Sequence, residues 1–321
     1  MKKKICIIGA GFVSQFAYIS SLNFSEKVEI VAVSDKNKSL LKKVSNKFGI
    51  KNYYTDYKEI FLKHKIDAAI IVVEKENYFK ITKYILSKKI PVFSEKPGAN
   101  SLLEIKKLKS ISKINKVFFY IGYMKRFDQG IQYLKRKITE NKFGKIDTVF
   151  YKSYDGNSYC SPYQYIKKNV NKKRKKNSFS RFLNSNSHSI NLLRFLFGDL
   201  KVKYKQLSPT GEGLVFFSGE NNKCKIVLNN RFSSSLKWIE EIEINFQNFY
   251  VKINIPPPFL RNVNSQIKIL NLKTGNIFYP HFLNTWSFNE QIKYFIDCLY
   301  KKKKIDNSLE KDFSLIENIF Y

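Results

Sequence analysis

The sequence predicts an α/β protein in two parts: a doubly wound parallel sheet over residues 1–122, then an α+β domain over 123–321 built on an open, mainly antiparallel sheet. Three observations carry this. Short apolar β-rich runs alternate with helical stretches of mixed polarity as far as Gly122. Beyond about Tyr123, strand-like runs follow one another with few helices between them. The length of 321 residues also exceeds what one core usually supports.

The first run, Lys4 to Gly9, leads into Gly9-Ala10-Gly11-Phe12-Val13-Ser14 and a helical stretch reaching about Leu22. In such a turn Gly9 permits the tight reversal, Gly11 lets backbone amides approach a pyrophosphate, and the small Ser14 lets helix and strand pack closely. The helix amino terminus then faces the phosphates, with Ala10, Phe12 and Val13 completing the turn. Val28 to Ser34 reads as a second strand ending at Asp35, where a carboxylate accepts hydrogen bonds from a ribose diol. That favours NAD over NADP, although Lys36 beside it would tolerate a 2′-phosphate. A purely structural Asp35 would instead cap the helix Lys38 to Phe48.

Further strands are expected over Asp67 to Val73, Pro91 to Phe93 and Lys116 to Gly122, with helices at Tyr78 to Lys88 and Leu102 to Ser112. The apolar run from Pro91 stops at Glu95-Lys96-Pro97, at the carboxyl edge of a parallel sheet, where α/β proteins place their ligands. Lys96 would project toward whatever is bound there. In the second part, strands are expected over Lys145 to Tyr154, Val202 to Leu207, Leu214 to Ser218, Cys224 to Asn229, Trp238 to Phe246, Tyr250 to Ile255 and Gln266 to Leu272. One strong helix stands among them, around Ser187 to Phe197. Trp286 to Tyr300 and Ser308 to Ile319 read as closing helices, free to return to the first domain.

Composition excludes several classes. With 43% hydrophobic residues the chain can bury a full core and is not disordered. Its net charge of +32 raises the possibility of a nucleic-acid binder. Yet lysine supplies nearly all of that charge along the whole length, and with abundant Ile, Asn, Phe and Tyr it is what an A+T-rich genome encodes. One cluster stands out, Lys172-Lys173-Arg174-Lys175-Lys176. The four cysteines, Cys6, Cys160, Cys224 and Cys298, form no CxxC pair, which argues against a zinc site or a disulfide framework and for a reducing compartment. Met1-Lys2-Lys3-Lys4 before an apolar run imitates a secretory signal, but Gly9, Gly11 and Gln15 interrupt that run. No apolar stretch approaches the roughly 18 residues of a membrane span. A soluble, cytoplasmic protein without a metal is expected.

The landmarks Gly9-Ala10-Gly11, Asp35, Glu95-Lys96-Pro97, Gly122-Tyr123-Met124-Lys125-Arg126-Phe127, His188 within Asn184-Ser185-Asn186-Ser187-His188, and the late helix with Phe295 and Asp297 fall in order over essentially the whole chain. In that ordered set the sequence resembles the Gfo/Idh/MocA oxidoreductases. The resemblance implies an amino-terminal Rossmann domain with a nicotinamide cofactor, NAD or NADP, and a second domain whose open sheet serves homo-oligomerisation. It also implies a sugar or polyol substrate. By the same resemblance Glu95 and Lys96 lie beside the nicotinamide, His188 supplies or accepts the proton, and Arg126 and Asn184 meet the substrate. The pairing is chemically sensible, because a carbon losing hydride also loses a proton from its hydroxyl, and a base must take it.

Departures from the family pattern matter as much. Asn184 stands where the family usually has an aspartate one helical turn before the histidine, so it can orient the imidazole but cannot act as a carboxylate relay. Ser178-Phe179-Ser180 replace glycines, and Glu74 and Tyr78 replace the usual proline and histidine. A divergent substrate follows. Lys172 to Lys176 read first as a solvated loop, and where they border the cleft they favour an anionic substrate such as a nucleotide sugar or uronate. A role in surface-polysaccharide sugar synthesis is the expected setting. Two alternatives remain: a non-catalytic cofactor-binding sensor or partner, and a nucleic-acid binder on the same scaffold.

Overall fold

A computed structural model of the chain describes residues 1–155, 178–219, 224–232, 238–301 and 309–321. The basic cluster at 172–176 and Cys160 lie outside the described residues. Two compact units emerge, Met1–Tyr123 with Phe288–Glu310, and Met124–Ser287 with Lys311–Tyr321.

In the first unit, β1 (Lys3–Ile8), β2 (Val28–Ser34), β3 (Asn52–Tyr54), β4 (Ala68–Ile71), β5 (Val92–Glu95) and β6 (Phe119–Gly122) form a sheet of order β3-β2-β1-β4-β5-β6. Every pairing is parallel. Helices covering both faces explain why β4, β5 and β6 are buried at every position. The helices are α1, π-helical over Ser14–Ile19 and α-helical over Ser20–Asn23, then α2 (Lys38–Phe48), α3 (Lys58–Lys63), α4 (Tyr78–Ser87) and α5 (Leu102–Ile114). Asn37 caps α2 by accepting from the Leu40 amide at 3.0 Å, and Ser101 caps α5 by accepting from Glu104. Asp35 is therefore not the cap of α2.

The edge strand β3 and the short α3 were not expected from the sequence. Neither is long enough to display a period. β5 also runs two residues beyond Phe93, because Ser94 and Glu95 continue the strand as buried polar groups.

In the second unit, β7 (Ile146–Asp155), β8 (Leu200–Leu207), β9 (Gly213–Gly219), β10 (Lys225–Phe232), β11 (Ile239–Phe246), β12 (Phe249–Asn254), β13 (Gln266–Asn271) and β14 (Ile277–Phe278) form a sheet of order β14-β13-β12-β11-β7-β10-β9-β8. The expected antiparallel pattern holds for its pairings except at the centre, where β7 and β10 run parallel from Thr148 against Lys225. Alternation of buried and part-buried residues along β11 marks one face turned to the core.

The helical content here corrects the sequence reading, which had one strong helix. α6 (Gln129–Thr139) is added, and α7 (Ser178–Phe197) starts well before Ser187. Serine and asparagine are weak helix formers, so the polar run hides a start that burial of Phe182 and Leu183 secures. Asp128 caps α6, accepting from the Ile131 amide at 3.1 Å, and also accepts from Ser265 at 2.9 Å. α8 (Ser287–Lys301) falls almost wholly in the first unit, and α9 (Leu309–Phe320) lies from Lys311 onward in the second.

α7 is tied to α9 by charge. Asp312, fully buried, accepts from Asn191 at 2.6 Å and from Arg194, whose other arm reaches Asp199 at 2.9 Å. Breaking a buried pair strands the remaining charge. Asp312→Ala is expected to cost about 3–5 kcal/mol of stability, read as an earlier urea midpoint at unchanged slope.

Among the described residues no helix is long and apolar enough to cross a membrane, and no group of His, Cys, Asp and Glu could hold a metal ion. Cys6, Cys224 and Cys298 are buried.

Candidate cofactor and substrate sites

Because the first sheet is wholly parallel, the carboxyl ends of β1, β2, β4 and β5 share one edge, and strand order reverses between β1 and β4. A crevice for a ligand opens at such a reversal. Gly9 sits there with φ of 99°, its amide donating to the Ser34 carbonyl at 2.7 Å. A Cβ on Gly9 would lie 1.9 Å from the Val72 carbonyl oxygen, so only glycine fits. A Cβ on Gly11 would meet nothing within 4 Å, which leaves the turn open on its ligand side. The helix begins at Phe12, and fully buried Ser14 lets it pack against the sheet.

Asp35, at the end of β2, ties this turn to the next. Its carboxylate accepts from the Ala10 amide at 2.8 Å and from the Asn37 amide at 2.9 Å. Asp35 is half-buried and Lys36 is exposed. An open glycine turn, a helix start and a partly exposed carboxylate on neighbouring strands fit the phosphates and ribose of a dinucleotide.

Glu95 closes the carboxyl end of β5. Its side chain is buried, with one carboxylate oxygen accepting from the Tyr18 hydroxyl and the other from the Lys96 amide at 2.9 Å. Burial raises the Glu95 pKa, against the opposing pull of the Tyr18 bond and the Lys96 charge. Burial and the neighbouring Glu95 charge push the Tyr18 phenol well up. Phe93 packs on Tyr18 at 5.3 Å and Phe288 at 5.9 Å. Glu95 thus anchors the end of β5 in the core, and half-buried Lys96 is the member of the pair left nearer the surface.

In the second unit, the positions of α7 from Arg181 to Phe197 that are not fully buried are Arg181, Asn184, Ser185, His188 and Phe195. Their spacing places them on one stripe of the helix. Asn184 therefore stands one turn from His188 on the same face. Arg126, in the short 3-10 turn Met124–Phe127, donates from Nε to the Asn191 side chain at 2.5 Å and lies 5.2 Å from the Phe195 ring. The structure so brings Arg126 beside the helix that carries Asn184 and His188.

Beneath that helix, Lys125 and the Tyr151 hydroxyl both donate to the buried carboxylate of Glu240, and the Ser189 hydroxyl reaches Ser153 at 3.1 Å. No local signal announces Tyr18, Tyr151 or Glu240, since their partners are distant in sequence. A surface depression of about 280 Å³, lined in part by Tyr133, Phe249 and Phe278, holds none of the expected site residues.

The glycine turn, the acidic end of β2 and the sheet reversal define a dinucleotide-binding domain of the Rossmann type. Residues 3–123 match the GFO_IDH_MocA family model, described as the oxidoreductase family with an NAD-binding Rossmann fold. Similarity to scyllo-inositol 2-dehydrogenase (NAD+) of Bacillus subtilis is 25% identity over 195 residues, covering 61% of this chain and 54% of the relative. For myo-inositol 2-dehydrogenase of Thermotoga maritima it is 22% over 196 residues, covering 61% and 55%. The chain thus spans about half the length of these curated relatives. A 3-ketoreductase from Actinomadura kijaniata, solved with TDP-benzene and NADP, shares the fold with a TM-score of 0.81 at 12% identity, over 99% of this chain and 97% of that one.

Proposed function

We propose that this chain is an NAD(P)-dependent oxidoreductase moving hydride between nicotinamide and a hydroxyl or keto carbon of a polyol, sugar or nucleotide sugar. The observation that carries the reading is the convergence of the glycine turn, Asp35 and Lys96 on one edge of a parallel sheet. Support for the substrate class comes from the relatives, two of which are inositol dehydrogenases.

In this reading Gly9, Ala10, Gly11, Phe12 and Val13 hold the pyrophosphate, and Asp35 with Lys36 meets the adenosine ribose. When bound, the nicotinamide gives or takes the hydride. The Lys96 ammonium stabilises the alkoxide that develops at the reacting carbon, and the His188 imidazole takes the hydroxyl proton in oxidation and returns it in reduction. Asn184 orients the imidazole or a substrate hydroxyl, and Arg126 binds substrate. Glu95 holds Lys96 in place from the core side.

Asp35 also sets cofactor choice. Asp35→Ser is expected to weaken NAD binding by about tenfold and to move preference toward NADP, because the carboxylate that repels a 2′-phosphate is gone while Lys36 remains. Paired fluorescence titrations with NADH and NADPH check this, and an unchanged ratio would remove Asp35 from the ribose.

A second reading, a cofactor-binding partner without turnover, is favoured by Asn184 in place of a carboxylate. Offering the NAD-loaded protein myo-inositol, scyllo-inositol and a panel of nucleotide sugars separates the two. Reduced nicotinamide should accumulate with at least one of them; tight NADH binding with no turnover on any would favour the partner. Cytoplasmic location, a role in surface-polysaccharide sugars and a homo-oligomer through the outer face of the second sheet extend the first reading. Sedimentation of the purified protein tests the last.

A further inference from the structure

We propose that Arg126 and Lys135, closing together on the ring of Phe195, form an anion subsite that takes the phosphate of a phosphorylated sugar, resting on the reading that His188 faces the substrate. The guanidinium of Arg126 lies 5.2 Å from the Phe195 ring centroid and the ammonium of Lys135 lies 5.6 Å from it. All three side chains are half-buried. Two like charges gathered on one ring repel each other, and burial together with the Arg126 charge holds the Lys135 pKa below its ordinary value.

The surrounding carboxylates do not neutralise the pair. Asp312 is taken by Arg194 and Asn191, although it still feels the Arg126 charge, and Asp199 is taken by Arg194 and Lys311. Four cations, Arg126, Lys135, Arg194 and Lys311, therefore face two carboxylates. Among the described residues neither Arg126 nor Lys135 forms a salt bridge; Lys135 reaches only the Leu196 carbonyl, at 3.4 Å. Buried Lys125 and Arg194, by contrast, are both paired with carboxylates. An unneutralised pair of cations, one a planar guanidinium, matches an incoming phosphate.

Position selects the class of anion. Phe195 lies two helical turns beyond His188 on the same stripe of α7, about 10 Å along the axis. A carboxyl on a sugar ring stands closer than that to a reacting ring carbon. The distal phosphate of a sugar nucleotide's diphosphate reaches nearly that far.

The test is calorimetric titration of the NAD-saturated full chain with inorganic pyrophosphate, and with glucuronate as the carboxylate arm; saturation with NAD fills the phosphate-binding turn of the first unit. Pyrophosphate should bind the native chain and raise its Tm, and glucuronate should bind more weakly. Lys135→Gln should weaken pyrophosphate by at least about tenfold and abolish the shift in Tm, while Lys135→Arg restores both. Arg181→Gln is the control, since Arg181 stacks on Phe232 at 4.1 Å and its charge acts on Glu212. Lys135→Gln should itself melt no earlier than the native chain, because it removes a repulsion. Equal pyrophosphate binding by Lys135→Gln, or tighter binding of glucuronate, would overturn the subsite. If the binding pattern holds and no sugar ever exchanges hydride, the subsite stands and the catalytic reading fails; if a neutral polyol turns over and pyrophosphate does not bind, the catalytic reading stands and the subsite fails.

Discussion

Lys96→Ala is expected to lower turnover by roughly 10²–10⁴-fold while leaving cofactor affinity within about threefold of native. The reasoning begins with β5, whose last residue, Glu95, is locked in the core by Tyr18 and by the Lys96 amide. The backbone at residue 96 is thereby held whatever side chain it carries. Truncation removes the ammonium without disturbing the glycine turn or Asp35, so binding and chemistry should part. Single-turnover absorbance of the nicotinamide reports the chemical step, and NADH fluorescence reports binding. A mutant that turns over at the native rate would take Lys96 out of the mechanism.

Gly9→Ala should cost both stability and cofactor binding. At φ of 99° an L side chain is strained, and its Cβ would sit 1.9 Å from the Val72 carbonyl oxygen, so β1 and the end of β4 must separate. Strain of this kind costs about 1–3 kcal/mol, and displacing packed backbone adds about as much again. A loss of about 3 kcal/mol or more and no detectable NADH binding are expected. Gly11→Ala provides the contrast. Its methyl meets no protein atom within 4 Å, so the fold should keep its stability, but the group enters the open side of the turn and should weaken NADH. Urea unfolding and fluorescence titration of the two variants measure both effects. Equal stability losses would mean that Gly11 is a structural glycine like Gly9, not one kept for its ligand.

Much of the first unit was legible because its signals are local. β2 and α2 have the limits read from the sequence, Val28–Ser34 and Lys38–Phe48, since an apolar run and a capped amphipathic helix carry their own boundaries. The glycine turn was legible for the same reason. The reading of Asp35 as a helix cap falls, because Asn37 caps α2. Asn184 and His188 share a face because one helix covers both, which their spacing implied.

What stayed hidden depends on partners remote in sequence. The burial of Glu95 against Tyr18, 77 positions earlier, has no local signal. The parallel pairing of β7 and β10 and the buried Lys125–Glu240 pair are likewise products of tertiary packing. The early start of α7 lies in a Ser/Asn run whose propensity argues against a helix, and burial of Phe182 decides otherwise. Lys135 looked like one lysine among many, and only its convergence with Arg126 on Phe195 distinguishes it.

The most direct test of hydride transfer uses a substrate deuterated at the carbon that bears the reacting hydroxyl, starting with myo-inositol and scyllo-inositol and continuing through nucleotide sugars. The native protein is incubated with oxidised NAD, and the reduced cofactor is examined by mass spectrometry. Oxidoreductase chemistry predicts one deuterium carried into the nicotinamide ring, absent in His188→Ala and Lys96→Ala. Protein that binds NAD tightly yet returns it unreduced and unlabelled with every substrate would contradict the account.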